Sequence, residues 1–134
     1  LGHPEAEIAV AIVGDRKMRT LNRQFRKMDR PTDVLSFSLR EGEFPHLNPQ
    51  LWGDIVISGP RAQAQAQEAN HSLDKEMAYL LLHGILHLMG FDHEGEPSKA
   101  AQFKRWQQKL WPQVEEEVLW WERQKHSSPA SSAL

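Results

Sequence analysis

Apolar and polar positions change their period several times along the chain, and each change marks an element. Residues 8–13 (IAVAIV) form a short β-branched run closed by Gly14 and Asp15, which predicts a buried strand. Asp15 is expected to cap a helix. From Met18 onward, Met18, Leu21, Phe25 and Met28 recur at helical spacing with Arg19, Arg23 and Arg26 on the opposite side, and Pro31 ends the run. Residues 34–37 (VLSF) and 54–58 (DIVIS) predict two further strands. Strand, helix, strand in this order predicts a parallel, right-handed crossover. Residues 40–51 (REGEFPHLNPQL) are rich in turn formers and predict a long surface loop of the kind that borders sites.

Gly59 and Pro60 open an Ala/Gln-rich helix to about residue 68. Ser72, followed by Lys75 and Glu76, signals another over residues 73–89. This helix is apolar almost all round, so it is expected to be buried rather than amphipathic, and Gly90 supplies the stop. Residues 98–110 predict a further helix, and Pro112 starts a last one to about residue 124. Trp106, Trp111, Trp120 and Trp121 share helical spacing with Leu110, Val114 and Val118, which favours core packing over a base-stacking platform. Residues 126–134 (HSSPASSAL) read as a disordered tail behind one domain, residues 1–125.

Composition narrows the classes. The chain has 134 residues, 40% hydrophobic and 25% charged, the usage of one ordinary globular domain. It contains no cysteine, which excludes disulfides, thiolate ligands and cysteine nucleophiles, so any metal must bind His, carboxylate or water. The longest apolar stretch, residues 77–89, is shorter than the roughly 20 residues of a spanning helix and holds two histidines, so a soluble cytoplasmic protein without a membrane partner is expected. The opening LGHPE has no signal-peptide pattern, and the lack of an initiator Met suggests that upstream residues were removed. A net charge of −2 speaks against a nucleic-acid binder, yet residues 15–30 carry seven bases against two acids. That asymmetry points to a polyanionic partner, the alternative being a solvated helix face.

The most informative segment is HGILHLMGFDH, residues 83–93. His83 and His87 are four apart and so share a helix face, with Cβ atoms about 5–6 Å apart, close enough for both imidazoles to reach one ion. A turn at Gly90 can bring His93 to a third corner, and three imidazoles plus a water make an open tetrahedral zinc site of the catalytic kind. One metal would also satisfy three imidazoles in an otherwise Leu/Ile/Met environment. The spacing matches that of long metzincin protease motifs, but Gly84 stands where those enzymes place their Glu general base, so the usual peptidase chemistry is disfavoured.

This segment, with PTDVLSF (residues 31–37), GDIVIS (residues 53–58), Leu21-Asn22 and Phe25-Arg26, resembles the YbeY family of metal-dependent endoribonucleases and ribosomal RNA maturation factors. The resemblance covers residues 8–93. It implies one zinc ion per chain on His83, His87 and His93, and a functional arginine at Arg26. It also implies a further strand and helix ahead of residue 8, whose loss would expose a sheet edge. Ser38 stands where the family often has Pro.

The activity implied is that of a single-strand-specific endoribonuclease in small-subunit rRNA 3′-end processing and ribosome quality control, with rRNA and ribosomal or small-subunit proteins as partners. The residues allow it: a three-His zinc on His83 and its partners acidifies its bound water, the nucleophile, to a pKa of about 7. Arg26 can grip a phosphate in two places, and Arg19, Arg23, Lys27 and Arg30 can hold the RNA backbone. Asp92 is expected to accept a ligand N–H, or else to serve as general base, and Asp33 or His71 could approach from other segments. Asp54 reads as structural and Glu76 as a first-turn helix acid. Two other readings stay open, a zinc hydrolase of peptides or amides and a non-catalytic assembly factor with structural zinc. The fold class expected is α+β, a small mixed β-sheet packed with about four to five helices around a central buried metal-binding helix.

Overall fold

The computed structural model describes residues 5–28, 30, 32–38, 50–90 and 97–127. Its elements are β1 (Glu7–Val13), α1 (Asp15–Arg26), β2 (Val34–Ser38), β3 (Leu51–Ser58), α2 (Gly59–Ala69), α3 (Leu73–Leu88) and α4 (Pro97–Ser127). Among the described residues this is an α+β fold with a three-stranded mixed sheet and four helices.

The strand order is β1-β3-β2, with β1 parallel and β2 antiparallel to β3. The expected crossover between the first two strands is therefore not formed, because β3 stands between them and provides the parallel partner of β1. Burial explains the order. β3 is apolar on both faces: Trp52, Ile55 and Ile57 pack toward Ala62, Leu80 and Leu88, while Val56 joins Met18 and Leu35 on the α1 side. Such a strand belongs in the middle of a sheet. β1 takes an edge, with Val10 48% and Ile12 62% exposed, and so is not the buried strand its β-branched run predicts.

Helix α3 lies between the sheet and α4. One side joins the sheet through Leu80 and Leu88, and the other meets Phe103 of α4 through Leu82 and Leu86. Two covered faces account for a helix without a polar stripe. Ser72 caps it by accepting the Lys75 N–H, and Gly90, at φ +92°, turns the chain after it.

Four local expectations change. Gly14, not Asp15, is the N-cap of α1. Asp15 lies in the first turn, where its carboxylate accepts a hydrogen bond from Ser58 at 3.1 Å. The two C-terminal helices are a single α4 with Pro112 inside it. Proline removes one backbone bond at a cost of about 3 kcal/mol. Contacts with α3 on both sides of it, Phe103 packed with Leu82 and Leu86 and the Trp111–Tyr79 ring contact before and the Glu115–Lys75 pair after, offset that loss. Trp106 and Trp111 pack inward, but Trp120 and Trp121 are about half exposed, because Glu115 and Glu122 face α3 instead. α4 runs to Ser127, two residues into the segment read as tail; of the loop expected over residues 40–51, residues 40–49 lie outside the described residues and Leu51 already opens β3. Among the described residues no helix is long and apolar enough to cross a membrane.

Candidate functional site: a histidine and arginine cleft

His83 and His87 project from α3 with their Nε2 atoms 3.0 Å apart. Two nitrogens this close share either a proton or a cation. Ligand nitrogens on a tetrahedral ion with bonds of about 2.0–2.1 Å lie roughly 3.3 Å apart, so the pair fits a zinc-like ion. Phe103 of α4 backs both rings, with centroids 4.8 and 4.9 Å away, and is itself buried. His93 and Asp92 lie outside the described residues, and among the described residues no group of three potential ligands occurs.

The sheet sets the height of this helix. A Cβ at Gly84 would stand 2.9 Å from Ile55 Cγ2, closer than real Cβ contacts, so α3 can sit this low only with glycine there. The Ser36 hydroxyl of β2 donates to the Gly84 carbonyl at 3.1 Å and holds the helix over the sheet. Below, Gly53 adopts φ +147°, and a Cβ there would lie 2.1 Å from the Phe37 carbonyl oxygen.

The two histidines open into a cleft of about 910 Å³ whose lining also includes Arg26, Met28 and Arg30 after α1 and Arg61 and Gln65 of α2. The turn after α1 is built for this. Lys27 takes the left-handed conformation, and buried Asn22 donates its amide to the Arg30 carbonyl at 2.8 Å, holding the turn against the helix end. Of the expected RNA-binding residues, Arg30 lines the cleft with Arg26, whereas Arg19, Arg23 and Lys27 are exposed outside its lining.

The carboxylates sort by place. Asp33 lines the cleft, but both its oxygens are engaged, one by the Val34 N–H at 2.8 Å and one by Gln65 at 3.2 Å. His71 does not reach the cleft; it contacts Glu76 at 2.7 Å. Glu76 is buried, so it is more than a first-turn acid: it ties the residue before the helix cap to the helix. Exposed Asp54 lines a separate apolar groove with Val10, Phe25 and Val56. Nearby, burial raises the Tyr79 pKa above its ordinary 10.0, with the Glu76 and Asp33 carboxylates adding to the rise.

Sequence reasoning missed Phe103, Arg61 and Gln65. Phe103 had a signal, since it stands three residues before Trp106 on the apolar stripe of α4. Arg61 and Gln65 had none, because only the packing of α2 against α3, with Gln65 donating to Asp33, brings them to the cleft.

The fold and cleft define a class: an α+β domain in which a helical histidine pair faces an arginine-lined groove. The family described as endoribonuclease YbeY matches residues 2–115, and the chain belongs to that family. It is 48% identical over 94 residues to an endoribonuclease YbeY of Geobacter metallireducens, covering 70% of this chain and 63% of that protein. Over 117 residues it is 40% identical to the Syntrophotalea carbinolica endoribonuclease YbeY, covering 87% and 78%. The chain thus spans less than two thirds of the first relative and more of the second. The solution structure of TM1509 from Thermotoga maritima aligns with a TM-score of 0.59 at 33% identity, covering 92% of this chain and 77% of that one.

Proposed function

We propose that this protein is a zinc-dependent endoribonuclease that cleaves single-stranded RNA in small-subunit rRNA 3′-end maturation and ribosome quality control. Its substrate is ribosomal RNA and its partners are small-subunit proteins in the cytoplasm. The observation that carries the reading is the pair of imidazole nitrogens 3.0 Å apart in the same cleft as Arg26. Family membership supports the nuclease class.

His83 and His87 would hold the ion with His93, and Asp92 would accept the free N–H of a ligating imidazole. When bound, the ion supplies a Lewis acid for a phosphoryl oxygen and lowers the pKa of water. The protein's own part is positioning. Arg26 offers a planar fork that grips the scissile phosphate and stabilises charge building on its oxygens. Arg30 adds a second cation from the turn that Asn22 holds. Asp33, with both oxygens engaged, fixes the cleft wall rather than moving a proton. A concave cleft suits a flexible strand; a stiff A-form duplex presents a convex surface. Gly84 leaves no carboxylate at the position a zinc peptidase uses, which disfavours the amide-hydrolase reading.

The test pairs two variants. His87→Ala is expected to lose both zinc, read by elemental analysis, and cleavage of single-stranded RNA. Arg26→Glu is expected to keep zinc and lose cleavage. Retained RNase activity in both overturns the proposal, and cleavage of peptides in place of RNA by the parent protein points to the amide hydrolase.

A further inference from the structure

We propose that Arg61 of α2 is a second phosphate anchor, so that the RNA strand in the histidine cleft is held from α2 as well as from the end of α1. The inference rests on the ribonuclease reading above and adds a subsite to it.

Arg26 and Arg30, at the end of α1, His83 and His87 of α3, and Arg61 and Gln65 of α2 all line one cleft. Arg61 and Gln65 are four apart on α2, and both reach the cleft from one face of that helix. Among the described lining residues there are three arginines and one carboxylate, Asp33, whose oxygens are already engaged. This lining favours an anion, and a polynucleotide carries one on every residue.

Arg61 is poised rather than committed. Its Nε lies 3.8 Å from Asp15 Oδ1, beyond hydrogen-bond length, and the two side chains are 47% and 51% exposed. Water screens such a pair, so it yields to a phosphate able to take two guanidinium N–H groups at once. Asp15 is tethered by the Ser58 hydroxyl at 3.1 Å, so the arginine is the partner that turns. Gln65 stays behind it, donating to Asp33. Asp15 thereby competes with RNA for Arg61.

The experiment uses zinc-loaded protein and a nuclease-resistant 2′-O-methyl hexaribonucleotide, with binding followed by fluorescence anisotropy at several salt concentrations. Arg61→Gln is expected to weaken binding by about five- to tenfold and to flatten the log K against log salt slope by about 0.7, the value for one single-strand phosphate contact. On a cleavable hexamer the loss is expected in KM more than in kcat. Arg61→Lys is expected to keep the slope while losing part of the affinity, because the cation remains and the fork does not. Asp15→Asn is expected to tighten binding in the parent and to do so much less in the Arg61→Gln background. Parent-like affinity and slope in Arg61→Gln, beside weakened binding in Arg26→Glu, would overturn the anchor and leave the ribonuclease reading standing. Failure of the parent protein to bind or cleave RNA would overturn both.

Discussion

Gly84 and Ile55 touch so closely that the helix bearing the histidines can rest on the central strand only because one of them has no side chain. The position that distinguishes this motif from a zinc peptidase's is thus also a packing requirement. Gly84→Ala is expected to cost about 1–3 kcal/mol, as overpacked core positions do, and Gly84→Glu more. Chemical denaturation of both variants checks the order; an unchanged midpoint for Gly84→Ala would show that Ile55 gives way.

Phe103 reaches the histidines from another helix. Phe103→Ala is expected to lower stability by about 3–5 kcal/mol. On the proposed reading it should also weaken zinc retention against a competing chelator, because the two histidine rings lose their backing. Phe103→Leu, which keeps most of the volume, should recover much of the stability and less of the zinc retention.

Asn22 acts at a distance from the chemistry. Asn22→Asp would set a carboxylate against the Arg30 carbonyl that now accepts its amide. An unmet buried partner costs about 1–3 kcal/mol, and a freed turn lets Arg30 leave the cleft. RNA binding is expected to fall while bound zinc stays stoichiometric, which separates this variant from Phe103→Ala.

Tyr79 sets an alkaline limit. Burial, then Glu76 and Asp33, raise its pKa, so the folded protein favours the neutral phenol. The stability this carries is complete below the ordinary value of 10.0 and is lost as pH climbs through the raised value. Tyr79→Phe should therefore show a shallower fall in melting temperature above pH 10 than the parent.

Chelation should separate chemistry from fold. On the proposed reading, removing zinc is expected to abolish RNA cleavage and lower the melting temperature, as loss of any ligand of the folded state does. Circular dichroism should keep its helical signal, because α3 is held by Leu80, Leu82, Leu86 and Leu88 rather than by the ion.

The parts of this protein legible in its sequence are those governed by short spacing. The strands, the α1 stripe from Met18 to Phe25, the Ser72 cap and the facing of His83 and His87 all follow from neighbours within a turn or two. What depends on distant partners was not legible. The placing of β3 between β1 and β2 reflects which strand can be covered twice. The unbroken α4 reflects support from α3 across Pro112, and the burial of Glu76 reflects its contact with His71. The exposure of Trp120 and Trp121 follows from where α3 lies against α4, which no local pattern encodes.

The central position of β3 has a dynamic consequence. Its amides pair with neighbours on both sides, and its side chains are clamped between two layers, so local breathing has no route to open it. Deuterium should enter Ile55, Val56 and Ile57 last of all, at the rate of global unfolding, while β1 exchanges early from its solvent-facing flank. The floor beneath the histidines therefore stays rigid while the rim of the protein fluctuates.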